Sequence, residues 1–456
     1  MGLDKSSTTA MNTITAPSNS LDKDNKREVF GWSMYDWANS AFSTTVVAVF
    51  LGPYLSGLAD AVAKANATST VFLFGIPLAP SSIFSYATSL SVLLQVFFLP
   101  LLGAIADYSN LRKRMMFIFA TAGAIATIAF FGVTGGLWWL GALLYIVANL
   151  AFGASIVFYN SFLGDIASEG RRDFVSSHGF ALGYLGGGIL LLLNIILFFA
   201  RGQLGIDAAL ATRINLASAG VWWLLFSQVT FQRLRNRAAA RQLPPGSSYL
   251  RVGISQLRET FREVRHYPHT IAYLLAYLVY NDGIQTVISQ AAVFGSEELK
   301  LDLGVLSAVV LMIQFVAFGG SYLFDRIARR VGTKRAIMIS LVVWAGLTIY
   351  AFGFLYTAPQ FFALGAILAL VLGGSQALSR SLFSQMIPKG RESEFFSFYE
   401  ISERGTSWMG PLVFGLVNQF TGSLRLAILS LIAFFIVGIV LLWRANTDRA
   451  IKEASA

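Results

Sequence analysis

The chain contains no cysteine, which excludes a disulfide, a thiolate nucleophile and any cysteine-ligated metal. Histidine is nearly as scarce, three in 456 residues, and His178, His266 and His269 are too scattered to form a metal cluster. Charged residues are only 13% of the total, about half the share of an average soluble domain. No Gly-x4-Gly-Lys-Ser/Thr loop occurs, so the chain has no nucleotide-driven motor of its own. The run Gly186-Gly187-Gly188 lacks the strand-to-helix setting of a dinucleotide site. Residues 1–28 hold no apolar run, so a polar tail is expected there and a secretory leader is not. Catalytic residues, metals and cofactors are not expected, and the chain does not read as an enzyme.

What the chain has in excess is apolar residues, at 55% with a mean hydropathy of +0.62. Runs of about 20 apolar residues, enough to cross the hydrocarbon core, recur along it. Twelve spans are expected, near 31–58, 83–106, 115–134, 138–160, 179–200, 213–232, 270–294, 303–325, 336–356, 360–386, 396–420 and 424–444. Backbone groups in lipid must bond within their own segment, so these spans are helices; the alternating strands of a membrane barrel are absent. The expected fold is an all-α polytopic membrane protein of two six-helix bundles. A cytoplasmic tail (1–28) leads into a first bundle (29–232), a linker (233–268), a second bundle (269–445) and a closing tail (446–456).

Orientation follows from the basic residues. With the amino terminus inside, the outer loops hold only Lys64, Arg201, Arg213, Lys300 and Arg425, and most of the other Lys and Arg side chains fall inside. Both termini are then cytoplasmic. The net charge of +10 marks a membrane surface and does not point to nucleic acid. In the linker, Pro244-Pro245-Gly246 breaks the chain. Leu250, Ile254, Leu257, Phe261 and Val264 then recur at helical spacing, with Arg251, Arg258, Arg262 and Arg265 elsewhere on the turn. A basic amphipathic helix lying in the membrane interface fits this pattern.

One device occurs twice. The first apolar run to carry it ends in Gly103-Ala-Ile-Ala-Asp107 and is followed by Arg112-Lys113-Arg114. The other reads Ser321-Tyr-Leu-Phe-Asp325, followed by Arg326, Arg329 and Arg330. Each copy follows the second span of its half. Gly103, Asp107, Arg112, Lys113, Asp325, Arg326 and Arg329 are therefore candidates for a gating latch. Each aspartate is placed to accept hydrogen bonds from an arginine or from the free amides of a helix start in the other half. Glycines give a second echo: Gly179, Gly183 and Gly187 in span 5, and Gly405, Gly410 and Gly415 in span 11. Small residues at such spacing let helices approach closely in lipid.

Polar groups at membrane depth are costly, which makes them informative. In span 1, Asp36, Asn39, Ser40, Ser43 and Thr44 share one helical stripe. Span 4 carries Tyr145, Asn149 and Asn160; span 7 carries Tyr277, Tyr280, Asn281, Asp282 and Gln285; span 10 carries Gln376, Ser379, Arg380 and Ser384. These are the first and fourth spans of each six, so one shared central cavity is expected. Its candidate lining is Asp36, Asn39, Ser40, Tyr145, Asn149, Tyr277, Asn281, Gln285, Gln376 and Arg380. Interhelical hydrogen bonding is the bland alternative for the amides and hydroxyls. Arg380 stays charged and needs an anion, either Asp36 or another carboxylate of the chain, or a substrate carboxylate or phosphate. Burial favours the neutral form of Asp36 and a nearby arginine favours its carboxylate, so Asp36 is the first candidate to carry a coupling proton and Asp282 the second. Glu400 and Arg404, four residues apart, are placed to pair with each other.

Two sets of six spans with a Gly-x3-Asp and basic cluster after the second resemble the major facilitator superfamily. The usual loop of that superfamily reads Gly-x3-Asp-Arg-x-Gly-Arg-Lys. Here the basic cluster comes one residue late, and the second copy has Ser321 in place of glycine. Three longer stretches resemble its vacuole-effluxer-like branch, the autophagy-related amino-acid effluxers. They are Tyr35-Asp-Trp-Ala-Asn-Ser-Ala-Phe42; Gly183-Tyr-Leu-Gly-Gly-Gly188 with Asn194; and Gln376-Ala-Leu-Ser-Arg-Ser-Leu-Phe-Ser-Gln-Met-Ile-Pro388, running into Glu394-Phe-Phe396 and Tyr399-Glu400. The resemblance spans roughly 30–445. It implies ion-coupled or facilitative movement of a small solute by alternating access, an amino acid or related carboxylate by analogy; a coupling proton and a monomeric protein are expected. The short loops point to a bacterial plasma membrane. Two other readings stay open: an exporter of amphiphilic compounds or lipids, suggested by the 38 phenylalanines, and a membrane scaffold or sensor.

Overall fold

The computed structural model describes residues 23–107, 111–236, 267–301, 303–404 and 409–455. The expected interfacial helix of the linker and most of the amino-terminal tail lie outside them. Helix α1 (Lys26–Ala41) starts at Asn25, whose side chain accepts from the amides of Arg27 and Glu28 and so satisfies two donors of the first turn. A π-helical turn (Phe42–Phe50) joins α1 to α2 (Leu51–Ala65). The chain continues as α3 (Ile83–Asp107), α4 (Arg112–Ile128), α5 (Trp138–Ser161), a short α6 (Leu163–Ile166), α7 (Arg172–Ala200) and α8 (Ala208–Arg233). Beyond the linker come α9 (Pro268–Val293), α10 (Leu303–Val331), α11 (Thr333–Gly353), α12 (Ala358–Ser384), α13 (Glu392–Arg404) and α14 (Met409–Thr421), then α15 (Leu424–Ser430), α16 (Ile432–Arg444) and α17 (Thr447–Ser455).

Ten helices among the described residues are long and apolar enough to cross a membrane, and the fold is an all-α polytopic membrane fold. The expected seventh span is the 26-residue α9, whose polar side chains dilute its apolarity. The expected eleventh is described as two 13-residue helices, α13 and α14. Helices also run beyond the apolar stretches that signal them. Span 1 continues to Ala65, α7 begins at Arg172, ahead of the expected 179, and the basic cluster Arg326–Arg330 is the last turn of α10 rather than a loop. Between α2 and α3 a small antiparallel hairpin, β1 (Val71–Leu73) and β2 (Ile76–Leu78), turns at Phe74 and Gly75, both at positive φ. A two-residue turn of that hand matches strand twist.

The apolar interior is divided at the linker. One cluster draws its buried residues from Val29 to Leu234, with Trp32, Tyr35, Tyr145 and Trp223 at its centre. The other runs from Tyr273 to Ala450 around Tyr277, Trp344 and Phe435. Within the first half, α7 lies on α1 along its glycines. A Cβ at Gly179 would meet the carboxylate of Asp36 at 2.6 Å, one at Gly183 the hydroxyl of Ser40 at 2.8 Å, and one at Gly187 the Thr44 methyl at 3.0 Å. The ridge brings two backbones close enough for van der Waals contact to hold them without a hydrophobic drive. The expected echo in span 11 is only partial. Gly410 packs against Thr286 and Asp282, Gly415 has open space beside it, and Gly405 lies outside the described residues.

Candidate functional site

The polar stripe of α1 faces the middle of the molecule, where both halves contribute to one cavity of about 430 Å³. Asp36, Asn39, Ser40, Tyr145, Asn149, Gln285, Gln376 and Arg380 line it, together with Ser43, Asn160, Tyr184, Tyr399, Glu400 and Glu403. Thr44 does not. The π-helical turn begins at Phe42, and Thr44 lies against Gly187 of α7 while its hydroxyl donates back to the Ser40 carbonyl of α1 at 2.8 Å. Tyr277 and Asn281 stand behind the wall. The Tyr277 hydroxyl donates to Glu403 at 3.2 Å, and the Asn281 amide donates to the Glu403 carbonyl at 3.1 Å. They hold Glu403 in place. Asp282 is elsewhere, accepting the Gly410 amide at 2.6 Å between α9 and α14. Ser379 is bonded to Tyr280 and Tyr273 and serves α9–α12 packing.

At the floor of the cavity Arg380, on α12, crosses to the first half. Both of its Nη atoms donate to Asp36 Oδ2 at 3.2 Å, and Tyr159 donates to the same oxygen at 2.7 Å. Arg380 Nε donates to the Ser176 hydroxyl at 2.9 Å, Nη2 to the Ser176 carbonyl at 2.9 Å and Nη1 to Asn160 Oδ1 at 3.4 Å. A guanidinium has five N–H groups, and these contacts occupy all five. Its planar face lies 4.1 Å from the Phe180 ring centre and 4.9 Å from that of Trp32, an attraction that strengthens away from water. Asn160 in turn donates to Glu400 at 3.0 Å, so the network passes twice between the halves.

Below this floor, at the end of the molecule that carries both described termini, the halves are shut against each other. Asp107 accepts the Ser393 and Glu394 amides at 3.0 and 2.9 Å, capping the start of α13, where free N–H groups and the helix dipole favour an anion. Arg112 lies 3.6 Å from Asp107, 3.2 Å from Asp165 and 3.0 Å from Glu392. Arg172 donates to the Ser384 carbonyl and Ser176 to that of Ala377, at 3.0 and 2.7 Å. Gly103 has no room for a side chain, since a Cβ there would lie 2.5 Å from the Ser393 carbonyl oxygen. The second copy differs: Asp325 pairs with Arg329 on its own helix at 2.9 Å. Across the halves, Thr333 donates to Asp173 at 2.6 Å. Lys113 is half-buried and Arg326 exposed, and neither makes a side-chain hydrogen bond or ion pair among the described residues.

The family model of the vacuole effluxer Atg22-like proteins matches residues 24–455. The chain belongs to this family. Its relatives include the MFS-type transporter YxiO of Bacillus subtilis, 33% identical over 90% of this chain and 93% of that protein. Autophagy-related protein 22-1 of Neosartorya fischeri is 23% identical over 96% and 93%. Among solved structures, the E. coli fucose:proton symporter FucP superposes with a TM-score of 0.68 at 12% identity, covering 92% of this chain and 98% of that one. A bacterial homologue of the iron transporter ferroportin, in an outward-facing state, gives 0.62 at 14% identity over 95% and 100%. At such identity these two establish the fold alone. The chain is thus an MFS-type transporter of the Atg22-like branch and a multi-pass membrane protein.

Within this Atg22-like chain, several residues of the site had not been expected. Tyr159 directly precedes Asn160, and Ser176 lies three residues ahead of the expected start of span 5. Glu403 carries no periodic signal of its own. Glu400 had been read only as a partner for Arg404, whose side chain lies outside the described residues.

Proposed function

We propose that the chain is a secondary transporter that carries a small polar solute, an amino acid by analogy with its family, through the central cavity by alternating access. The observation that carries this reading is the polarity of closure. The lining runs from Asp36 and Arg380 past Ser43, Val47, Thr88 and Tyr145, away from the end where Asp107 caps α13 and Ser176 bonds Ala377. With both termini cytoplasmic in a bacterial plasma membrane, this arrangement is an outward-facing state. Releasing the contacts at the closed end and closing the other turns the same cavity inward.

The test uses the absence of cysteine. A Ser176→Cys, Ala377→Cys double variant places one thiol on each half where a 2.7 Å hydrogen bond joins them. Oxidation should stop movement of labelled amino acids into reconstituted vesicles, and reduction should restore it. Full uptake in the cross-linked protein refutes alternating access about this site.

Coupling is proposed at Asp36, which among the described residues is the one carboxylate paired with Arg380. A buried ion pair is stable only while both partners stay. Protonation of Asp36 when the halves part therefore lets Arg380 leave without stranding a buried anion. Asp36→Asn should still exchange labelled solute across the vesicle wall but lose accumulation driven by a pH gradient. Normal accumulation by that variant moves the proton site elsewhere, with Asp282 the next acid to examine.

A further inference from the structure

We infer that the β1–β2 hairpin is a lipid anchor, its tip seated in the bilayer interface at the open end of the cavity. The hairpin joins α2 to α3. Asp107, the last residue of α3, lies at the closed end, so the hairpin stands at the opposite one. Its root is fixed to the first half. Val71 is buried with Ala59 and Ala63 of α2, Ile83 of α3 and Trp138 of α5, and Leu78 packs against the same cluster.

Beyond the root the hairpin is apolar on both faces. Residues directly opposite in an antiparallel pair share a face, and successive residues alternate between faces. The pairs Val71–Leu78 and Leu73–Ile76 therefore lie on one face and Phe72–Pro77 on the other. Past the cluster the side chains of both faces emerge: Phe72 is 59% exposed, Ile76 62%, and Phe74 at the tip 97%. A hairpin that covered the cavity mouth or docked on a protein needs one apolar face and one wetted face. An apolar surface on both sides of a protruding tip suits immersion.

The surroundings point to lipid as the occupant. No Asp, Glu, Lys, Arg or His occurs between Lys64 and Asp107, so the whole connection from α2 to α3 is uncharged. Other connections at the same end, near 201–207 and 297–300, carry Arg201, Asp207, Glu297, Glu298 and Lys300. Trp138 packs on the hairpin root and the next residue, Trp139, is exposed; tryptophan at a helix end marks the headgroup level. On α3, just after the hairpin, Tyr86, Leu90, Leu93 and Phe97 stand exposed at helical spacing along one face. An exposed apolar patch marks a membrane or a protein contact, and this one runs directly into a lipid-facing row.

The experiment uses the full chain, which has no cysteine of its own, carrying Phe74→Cys or, as the control in a charged loop, Gln203→Cys. Each is labelled with a small fluorophore and reconstituted in phosphatidylcholine vesicles. Interfacial segments seat apolar side chains about 5–10 Å into the boundary of headgroups and acyl chains. Lipids with a nitroxide near the top of the acyl chain should therefore quench the label at 74 several-fold more strongly than the label at 203, and aqueous iodide should give the reverse order. Phe72→Ser and Ile76→Ser, both at exposed positions away from the root, should together reduce lipid quenching of the label at 74 and admit iodide. The inference is overturned if iodide reaches position 74 as readily as 203. It is overturned equally if the label at 74 is shielded from both quenchers, as under a second copy or folded over the cavity mouth. Unchanged lipid quenching in the serine variant also overturns it, since the fluorophore and not the hairpin would then be the anchor.

Discussion

Asp107 and Asp325 end equivalent apolar runs in the two halves and are followed by similar basic clusters, yet they do different work. Asp107 reaches out of its own half, with both oxygens on the first amides of α13 and Arg112 beside it. Asp325 stays home, paired with Arg329 four residues on. The difference traces to local backbone. Gly103 lets α3 come against the Ser393 carbonyl. At the corresponding place Ser321 is turned into its own half, donating to the Ala317 carbonyl at 3.0 Å. Because α10 stays helical through Val331 and turns at Gly332 (φ 90°), its basic residues lie along the helix surface. Duplication of a motif therefore did not duplicate its energetics. One copy caps a helix across the interface; the other is an i, i+4 pair of a buried Asp325 with an exposed Arg329, and the halves meet near it through Thr333 and Asp173, His178 and Tyr322, and Arg329 over the Phe174 ring.

That contrast can be tested by substitution, most severely at Asp107. Asp107→Ala removes two charge-assisted bonds to amides and one of the three carboxylates around Arg112, and should weaken closure of that end by about 3 kcal/mol, more than a hundredfold in the conformational equilibrium. A single cysteine placed at the closed end should then label rapidly, a clean readout in a chain with none of its own. Gly103→Ala comes next. Its methyl group meets backbone, which cannot rotate aside, so a cost of about 2 kcal/mol to the closed state is expected, seen in the same labelling assay. Asp325→Ala should be mildest, about 0.5 kcal/mol, because a helical ion pair whose arginine stands in solvent contributes little. Equal labelling in Asp107→Ala and Asp325→Ala would show that the two copies share the load after all.

Much of this site was legible before any coordinates. Charge at membrane depth singled out Asp36 and Arg380, and the cost of a lone buried ion called for an anion beside Arg380, with Asp36 one of the candidates. The cap by Asp107 on an opposing helix start was also among the expectations, since an anion at the end of an apolar run has few other partners. What the residues alone could not convey was rotation. A 3.6-residue period predicts which side chains share a face but not which neighbour that face meets. Tyr277 and Asn281 therefore ended up supporting Glu403 from behind, and Thr44 was carried off the stripe by a π-helical turn. Glu400 reads as half of an i, i+4 pair with Arg404 and Glu403 carries no periodic signal, which concealed both until α13 was seen to enter the cavity wall. Hydropathy marked the apolar middles of helices and missed their polar first turns, and so placed the start of α7 about two turns late and left out Ser176.

The glycine ridge of α7 has a mechanical consequence. At Gly179, Gly183 and Gly187 the two backbones of α1 and α7 are in such close register that neither can slide without a side chain striking the other. Farther along, Asn194 ties α7 to Thr45 at 3.1 Å and receives the Asn215 amide of α8 at 2.9 Å. The three helices form one stiff beam, riveted along its length. Asp36 is mounted on this beam, and its bonds to Arg380 join the beam to the other half. On the transport cycle proposed above, breaking those bonds frees the beam to swing as one piece, so a shift of an ångström at the cavity floor becomes a wider displacement at its ends.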